Sequence, residues 1–211
     1  MAAAKRRWRG LTDVAVFEVG SAQQLPYPTA TFDGVVSGLA LTFVPDAQAA
    51  LAKMTRVARP GGTVSLYVWD YNYPVFFLTR YWAAVEQVIG GRAAGDERNR
   101  WPVCSRNGLT RLTSSQARLT NAAVLPLTTP TVFANADDLW NSFSLGVGPA
   151  GTVMGALDVG QRQAVRAALE ERLPVAPDGS VHLSARAWAF AATALERGGA
   201  RNRADDRAAK D

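Results

Sequence analysis

A chain of 211 residues, 48% of them apolar, has material for one domain with a sizeable core. Its net charge of +5 comes from arginines scattered along the chain, which is the pattern of a solvated surface and gives no reason to expect nucleic acid as a partner. The single cysteine, Cys104, excludes an intrachain disulfide and suits a reducing compartment, and no apolar run reaches the roughly 20 residues that a spanning helix needs, so the expected location is the cytoplasm.

Residues 1–10 read as a helical segment. Asp13–Val19 carries Val14, Val16, Phe17 and Val19 and predicts a strand, closed by Gly20. The two prolines of LPYP make a loop. Asp33–Ser37 (DGVVS) is a short apolar run of the kind found in strands buried on both faces. Asp46 can cap a helix over Ala47–Ala58, with Ala47, Ala50, Leu51, Met54 and Val57 on one face. Pro60 stops it, Gly61–Gly62 turn the chain, and Thr63–Trp69 (TVSLYVW) predicts a third strand. Strand, helix and strand with a tight return imply a βαβ crossover and a parallel pair.

Beyond Asp70, Phe77, Leu78, Tyr81, Trp82, Val85 and Ile89 line one face of a helix. GGRAAGDERNR reads as a polar loop, and Ser105 can cap a helix reaching about Leu119. Ala122–Leu127 and Thr131–Phe133 predict short strands, and their prolines place them at a sheet edge. Asp137–Ser142 starts another helix, GVGPAG reads as flexible, and Asp158 caps a helix through Leu173. PVAPDGS is a turn before an alternating strand, Val181–Ala189. The tail from Gly198 is polar and expected to fray.

Chemistry-bearing residues are sparse. His182 is the only histidine and has no Cys, His or carboxylate cluster around it, so no metal site is expected. Cys104 has only Arg100 and Arg106 as basic neighbours and reads as a buried, inert thiol. Trp69, Asp70 and Tyr71 sit at the carboxyl end of the third predicted strand, where an α/β sheet opens onto its ligand, and aromatic side chains there can wall off a substrate mouth. No side chain stands out as a catalytic acid or base.

The segments VGSAQQLPYP, TFDGVVS, FVPD and RVARPGG follow one another within Glu18–Asp70. In that order and spacing they resemble the middle of a class I S-adenosylmethionine-dependent methyltransferase of the ubiquinone- and menaquinone-biosynthesis type. Weaker likeness continues through Arg100–Leu109, Asp137–Trp140 and Pro177–Ala189.

The resemblance implies an α/β, Rossmann-like methyltransferase sheet lacking its first two βα units, with a helical and β C-terminal half. It implies a partial domain over residues 1–197 and a polar tail over 198–211. Ser21 and Ala22 stand where the family contacts the adenine end of the cofactor, with Ser21 in place of the usual acidic or amide residue. Ser37 and Gly38 stand where main chain faces its methionine part. The implied function is methyl transfer from S-adenosylmethionine to a small-molecule acceptor. The family's glycine-rich cofactor loop falls before Met1, so the resemblance also implies weak cofactor binding and an open sheet edge prone to self-association. The main rival is a non-catalytic methyltransferase-like fragment or interaction module, and a dehydrogenase fits less well.

Overall fold

The computed structural model describes residues 14–195; the predicted N-terminal helix and the polar tail lie outside them. Four strands form one sheet in the order β1-β2-β4-β3: β1 (Phe32–Gly38), β2 (Ala58–Trp69), β3 (Leu119–Phe133) and β4 (Val181–Ala194). β1 and β2 are parallel, joined by helix α1 (Ala47–Val57), so the predicted βαβ crossover is present. β4 runs antiparallel to both β2 and β3. The sheet is thus a mixed α/β sheet of the predicted Rossmann-like class.

α1 forms as the sequence dictates. The Asp46 carboxylate accepts from the Ala49 N–H at 2.8 Å, and Ala50, Leu51, Met54 and Val57 are buried against β2. After Pro60 and Gly61 the chain bulges back into register, because β1 residues Phe32 and Gly34 face Ala58 and Thr63 of β2. Gly62 permits this: a Cβ there would meet the Asp33 and Arg59 carbonyl oxygens at 2.8 and 2.9 Å.

The second half packs helices on the other end of the sheet. These are α2 (Phe77–Ile89), α3 (Glu97–Arg100), α4 (Arg106–Ser114), α5 (Ala136–Ser144), α6 (Gly148–Ala156) and α7 (Val159–Glu170). One hydrophobic cluster joins α1, α4, β2 and β4 through Leu51, Leu66, Leu109 and Phe190. A second joins α2, α5, α6, α7 and the start of β4 through Tyr81, Trp82, Phe143 and Val165. Asp158 caps α7 in a full capping box with Gln161.

Several expectations are corrected. Val14–Val19 is irregular chain, with Val14, Val16 and Val19 between 82% and 85% exposed. Among the described residues no strand lies beside it, and a lone strand has nowhere to send its backbone bonds. β1 is not buried on both faces: it pairs only with β2 among the described residues, and Val36 is 68% exposed. The helix after Ser105 ends at Ser114, because Thr113, Ser114 and Ser115 turn their hydroxyls back onto carbonyls of α4. The two short strands merge into β3, an edge as the prolines foretold. Pro126 and Pro130 lie four apart, so their ring nitrogens face the same side, away from β4. GVGPAG is not a flexible loop, since its last four residues open α6.

Candidate functional site

Because β1 and β2 are parallel, their carboxyl ends open in one direction, which is where an α/β sheet takes its ligand. β1 ends at Ser37 and Gly38. Ser37 is half-buried opposite Leu66, and Gly38 lies opposite Tyr67. A Cβ on Gly38 would sit 2.5 Å from the Tyr67 hydroxyl, so close packing of that ring explains the glycine. The next residue, Leu39, takes φ of 53° and donates its N–H to the Tyr67 carbonyl at 2.9 Å, bending the chain off the sheet.

Ser21 and Ala22 begin a single 3₁₀ turn, Ala22–Gln24, that packs on α1. The Ser21 hydroxyl oxygen accepts from the Gln23 N–H at 3.2 Å, which leaves its proton free to donate outward; Ser21 is exposed and Ala22 half-buried. The LPYP loop is pinned by Arg56, whose guanidinium donates to the Tyr27 and Leu25 carbonyls at 2.7 and 2.8 Å.

Trp69, Asp70 and Tyr71 go three ways. Trp69 borders a small hollow of about 170 Å³ with Leu39, Tyr67 and Leu127. Asp70 turns inward and is 2% exposed. Its Oδ2 accepts from Arg186 Nε and Trp188 Nε1, both at 2.8 Å, and its Oδ1 from the Asn72 N–H at 3.1 Å. The Arg186 guanidinium stacks over the Tyr73 ring at 4.2 Å and the Trp188 ring at 5.1 Å. Asp70 therefore clamps β2 to β4, with both oxygens engaged. Tyr71 is buried and forms one wall of a cleft of about 350 Å³, shared with Phe77, Trp101, Phe133, Phe143 and Glu97. Trp101 links that wall to the exposed Phe43, just past β1, at 5.3 Å between ring centroids.

Burial sets the titration of the groups around this cleft. It pushes the Tyr71 hydroxyl well above its ordinary range, with Cys104 and Glu97 adding to the rise. Burial likewise raises the Glu97 carboxyl above its usual value, against the indole of Trp82, which donates to Oε2. Cys104 is buried beside the Thr42 hydroxyl at 3.1 Å, and burial pushes its thiol up to about 11, consistent with an inert thiol.

Sequence reasoning missed Glu97. The run Asp96–Arg100 carries four charged residues in five and reads as a solvated loop, yet Asp96 and Glu97 are 0% and 3% exposed. The one available signal is Asp96 itself, a helix cap followed by a first-turn acid. His182 is exposed on β4, with Nε2 2.8 Å from the Ser180 hydroxyl. The Asp178 carboxylate bonds Ser180, not the histidine, and those bonds hold it below the usual range; the order needed for a base relay is missing. Gly146–Gly151 has the spacing G-x-G-x-x-G, but it joins two helices and follows no strand, which removes the context of a dinucleotide fingerprint. Gly151 is explained by packing, since a Cβ there would lie 2.6 Å from the Gly146 carbonyl carbon. Among the described residues no group of three His, Cys, Asp or Glu could hold a metal, and no helix is long and apolar enough to cross a membrane.

Comparison with known proteins places this geometry. The family described as "Methyltransferase domain" matches residues 1–66. Over 66 residues the chain is 39% identical to an uncharacterized protein of Mycobacterium tuberculosis, 31% of this chain and 23% of that one. Over 85 residues it is 45% identical to the demethylmenaquinone methyltransferase of Anoxybacillus flavithermus, 40% of this chain and 35% of the relative. The chain thus matches about a quarter to a third of the length of these relatives. Among solved structures, the YcgJ protein of Bacillus subtilis aligns with a TM-score of 0.50 at 14% identity, covering 93% of this chain and 77% of that one. A protein of Bacillus halodurans assigned as a methyltransferase aligns equally well, with a TM-score of 0.50 at 13% identity, covering 92% and 78%. At such identities the likeness speaks for the fold.

Proposed function

From the match of residues 1–66 to the family described as a methyltransferase domain, we propose that this chain contributes to methyl transfer from S-adenosylmethionine onto a small-molecule acceptor. The observation that carries the reading is positional. The matched segment ends in β2, and the next residues, through Tyr71, form the wall of an aromatic cleft at the ligand-binding end of the sheet.

When bound, S-adenosylmethionine supplies an electrophilic methyl group on a sulfonium leaving group. The chain's own task is to align the acceptor and keep water out, which requires no catalytic triad. In this reading Ser21 donates its free hydroxyl proton at the adenine end, Ala22 packs beside it, and Ser37 and Gly38 present main chain at the end of β1. Tyr71 walls the acceptor cleft, Trp69 lines a separate hollow, and Asp70 holds the end of β2 in place through Arg186 and Trp188. The fit to the cofactor is partial, because none of Ser21, Ala22, Ser37 and Gly38 carries a charge. Weak binding is therefore expected.

Calorimetric titration of the chain with S-adenosylmethionine tests this. The expected dissociation constant is weaker than about 100 μM, roughly −5.5 kcal/mol. Tight, saturable binding would refute the weak-binding expectation, and no heat up to millimolar cofactor would refute the methyltransferase reading. Ser21→Asp is expected to tighten binding by about 0.5–1.5 kcal/mol if it adds one net hydrogen bond. Unchanged or weaker affinity removes Ser21 from the adenine position.

The rival reading, a fragment that acts by association, draws on one observation: among the described residues β1 pairs on one side only, carries the exposed Val36 and has no proline. Self-association through that edge predicts that Val36→Lys shifts the protein toward monomer in size-exclusion chromatography, with stability changed by less than about 0.5 kcal/mol. An unchanged elution profile rejects β1 as the contact.

A further inference from the structure

We infer that the hollow between α5, α6 and α7 is a binding site for a flat aromatic carboxylate, with Arg162 as its anion-binding residue. This goes beyond the proposed function. The hollow shares no lining residue with the aromatic cleft beside β2, and it does not depend on the methyltransferase reading.

The hollow holds about 430 Å³, within the range of small-molecule pockets. Trp140 of α5, Met154 of α6 and Val159 of α7 give it apolar walls. Val159 is 73% exposed, so apolar surface there is open to an occupant. An indole wall favours a ring that can stack on it or meet its edge.

Glycine keeps the space open. Gly151 and Gly155 lie one turn apart on α6, and both line the hollow. Packing against Gly146 accounts for Gly151. It does not account for Gly155, where a Cβ would meet no atom within 4 Å. Glycine inside a helix is costly relative to alanine. No neighbour requires it at this position, and what its missing side chain preserves is room in the hollow.

Arg162 sets the charge of the occupant. Two arginines of α7, one turn apart, reach the hollow and differ in what they already hold. Arg166 donates to Glu170 Oε1 at 2.8 Å and to Asp137, and its guanidinium lies over the Trp140 ring at 6.0 Å. Two carboxylates answer its charge, so its work is to hold the wall. Arg162 donates through Nε to the Leu157 carbonyl at 2.9 Å and through Nη2 to the Gly155 carbonyl at 3.0 Å. Among the described residues no carboxylate pairs with it. The carboxylate of Asp158, one turn before it, accepts instead from the Gln161 N–H. The two carbonyls fix the Arg162 guanidinium without neutralising it and leave Nη1 uncommitted. Such a group binds a carboxylate through charge-assisted hydrogen bonds. The neutral donors of Ser144 and Gln163 on the lining suit an acceptor too. A ring bearing a carboxylate meets both the apolar walls and the free guanidinium; its carboxamide meets only the first.

The test is calorimetric titration of the full chain, without cofactor, with 2-naphthoate and the neutral 2-naphthamide at pH 7. The wild-type protein is expected to bind the naphthoate about tenfold or more tighter than the amide, the worth of a charge-assisted bond over a neutral one. Arg162→Gln is expected to shrink that preference below about threefold. Gly155→Leu, which fills the hollow from a position with room for a side chain, is expected to weaken both probes about tenfold or more. No binding up to millimolar naphthoate, equal affinity of the two probes, a preference that survives Arg162→Gln, or full affinity in Gly155→Leu would each overturn the inference. If Arg162→Gln fails to fold by circular dichroism, because α6 loses the bonds to its last carbonyls, the wild-type pair and Gly155→Leu still decide.

Discussion

The end of β2 and the short helix α3 each bury one carboxylate, and the two are held in opposite ways. Asp70 has a guanidinium, an indole and a backbone N–H on its two oxygens, all within 2.8–3.1 Å. Glu97 receives the Trp82 indole and its own backbone N–H, with no cation paired to it among the described residues. The arrangement of Asp70 binds two strands that are distant in sequence, so its work is architectural. That of Glu97 lacks a paired cation, so burial raises its carboxyl. Two acids with nearly equal burial differ in role because of what surrounds them.

Breaking the clamp gives the largest effect. Asp70→Ala leaves Arg186 without its carboxylate in a site only partly open to water, and is expected to cost about 3 kcal/mol in chemical denaturation. A loss below about 1 kcal/mol would mean that the pair contributes no more than a surface ion pair.

Glu97 should respond in the opposite sense. Its folded-state carboxyl titrates above the ordinary value of 4.5, so the native state binds more protons than the unfolded state above that pH. The stability it contributes is present below pH 4.5 and is lost as pH rises through the folded value. Glu97→Gln removes that loss. The variant is expected to be as stable as wild type or more so at neutral pH, with the difference vanishing toward pH 4.5. The groups facing Glu97 are Asp96 and Arg100 on its own turn, Tyr71 after β2 and Tyr81 of α2, and all four are unchanged in the variant. Thermal unfolding of both proteins from pH 4 to 8 checks this, and parallel pH profiles would reject it.

The smallest effect is read at Cys104. Burial holds its thiol up at about 11, and the negative charge of Asp70 adds a minor part. Asp70→Asn should therefore raise the rate of Cys104 alkylation in the folded protein slightly, by less than about tenfold. A slower rate would contradict an ionised Asp70 in the clamp.

The features legible in the sequence were those with local causes. The Asp46 cap and the apolar face of α1, the Asp158 cap and the alternation of β4 each depend on neighbours within a few residues, whereas Pro60–Gly62, read as a stop and turn, lie within β2. The motif order within Glu18–Asp70 was likewise visible before any coordinates, and with it the likeness to a methyltransferase domain over residues 1–66. The prolines of β3 announced an edge because a missing N–H is a property of the residue itself.

What a residue faces is not a local property. Val14–Val19 has the composition of a strand but takes no strand conformation, since pairing depends on a partner elsewhere in the chain. Asp70 became a clamp only when β4 brought Arg186 and Trp188 alongside it, more than a hundred positions away. Asp96–Arg100 reads as solvated charge, and only the packing of α2 against α3 placed Trp82 on Glu97 and closed an aromatic cleft around it. The sequence alone determined the capped helices α1 and α7 and the parallel βαβ unit. The tertiary structure alone decided which acid is paired with a cation and which is buried without one, because burial and pairing arise from contacts between segments far apart in the chain.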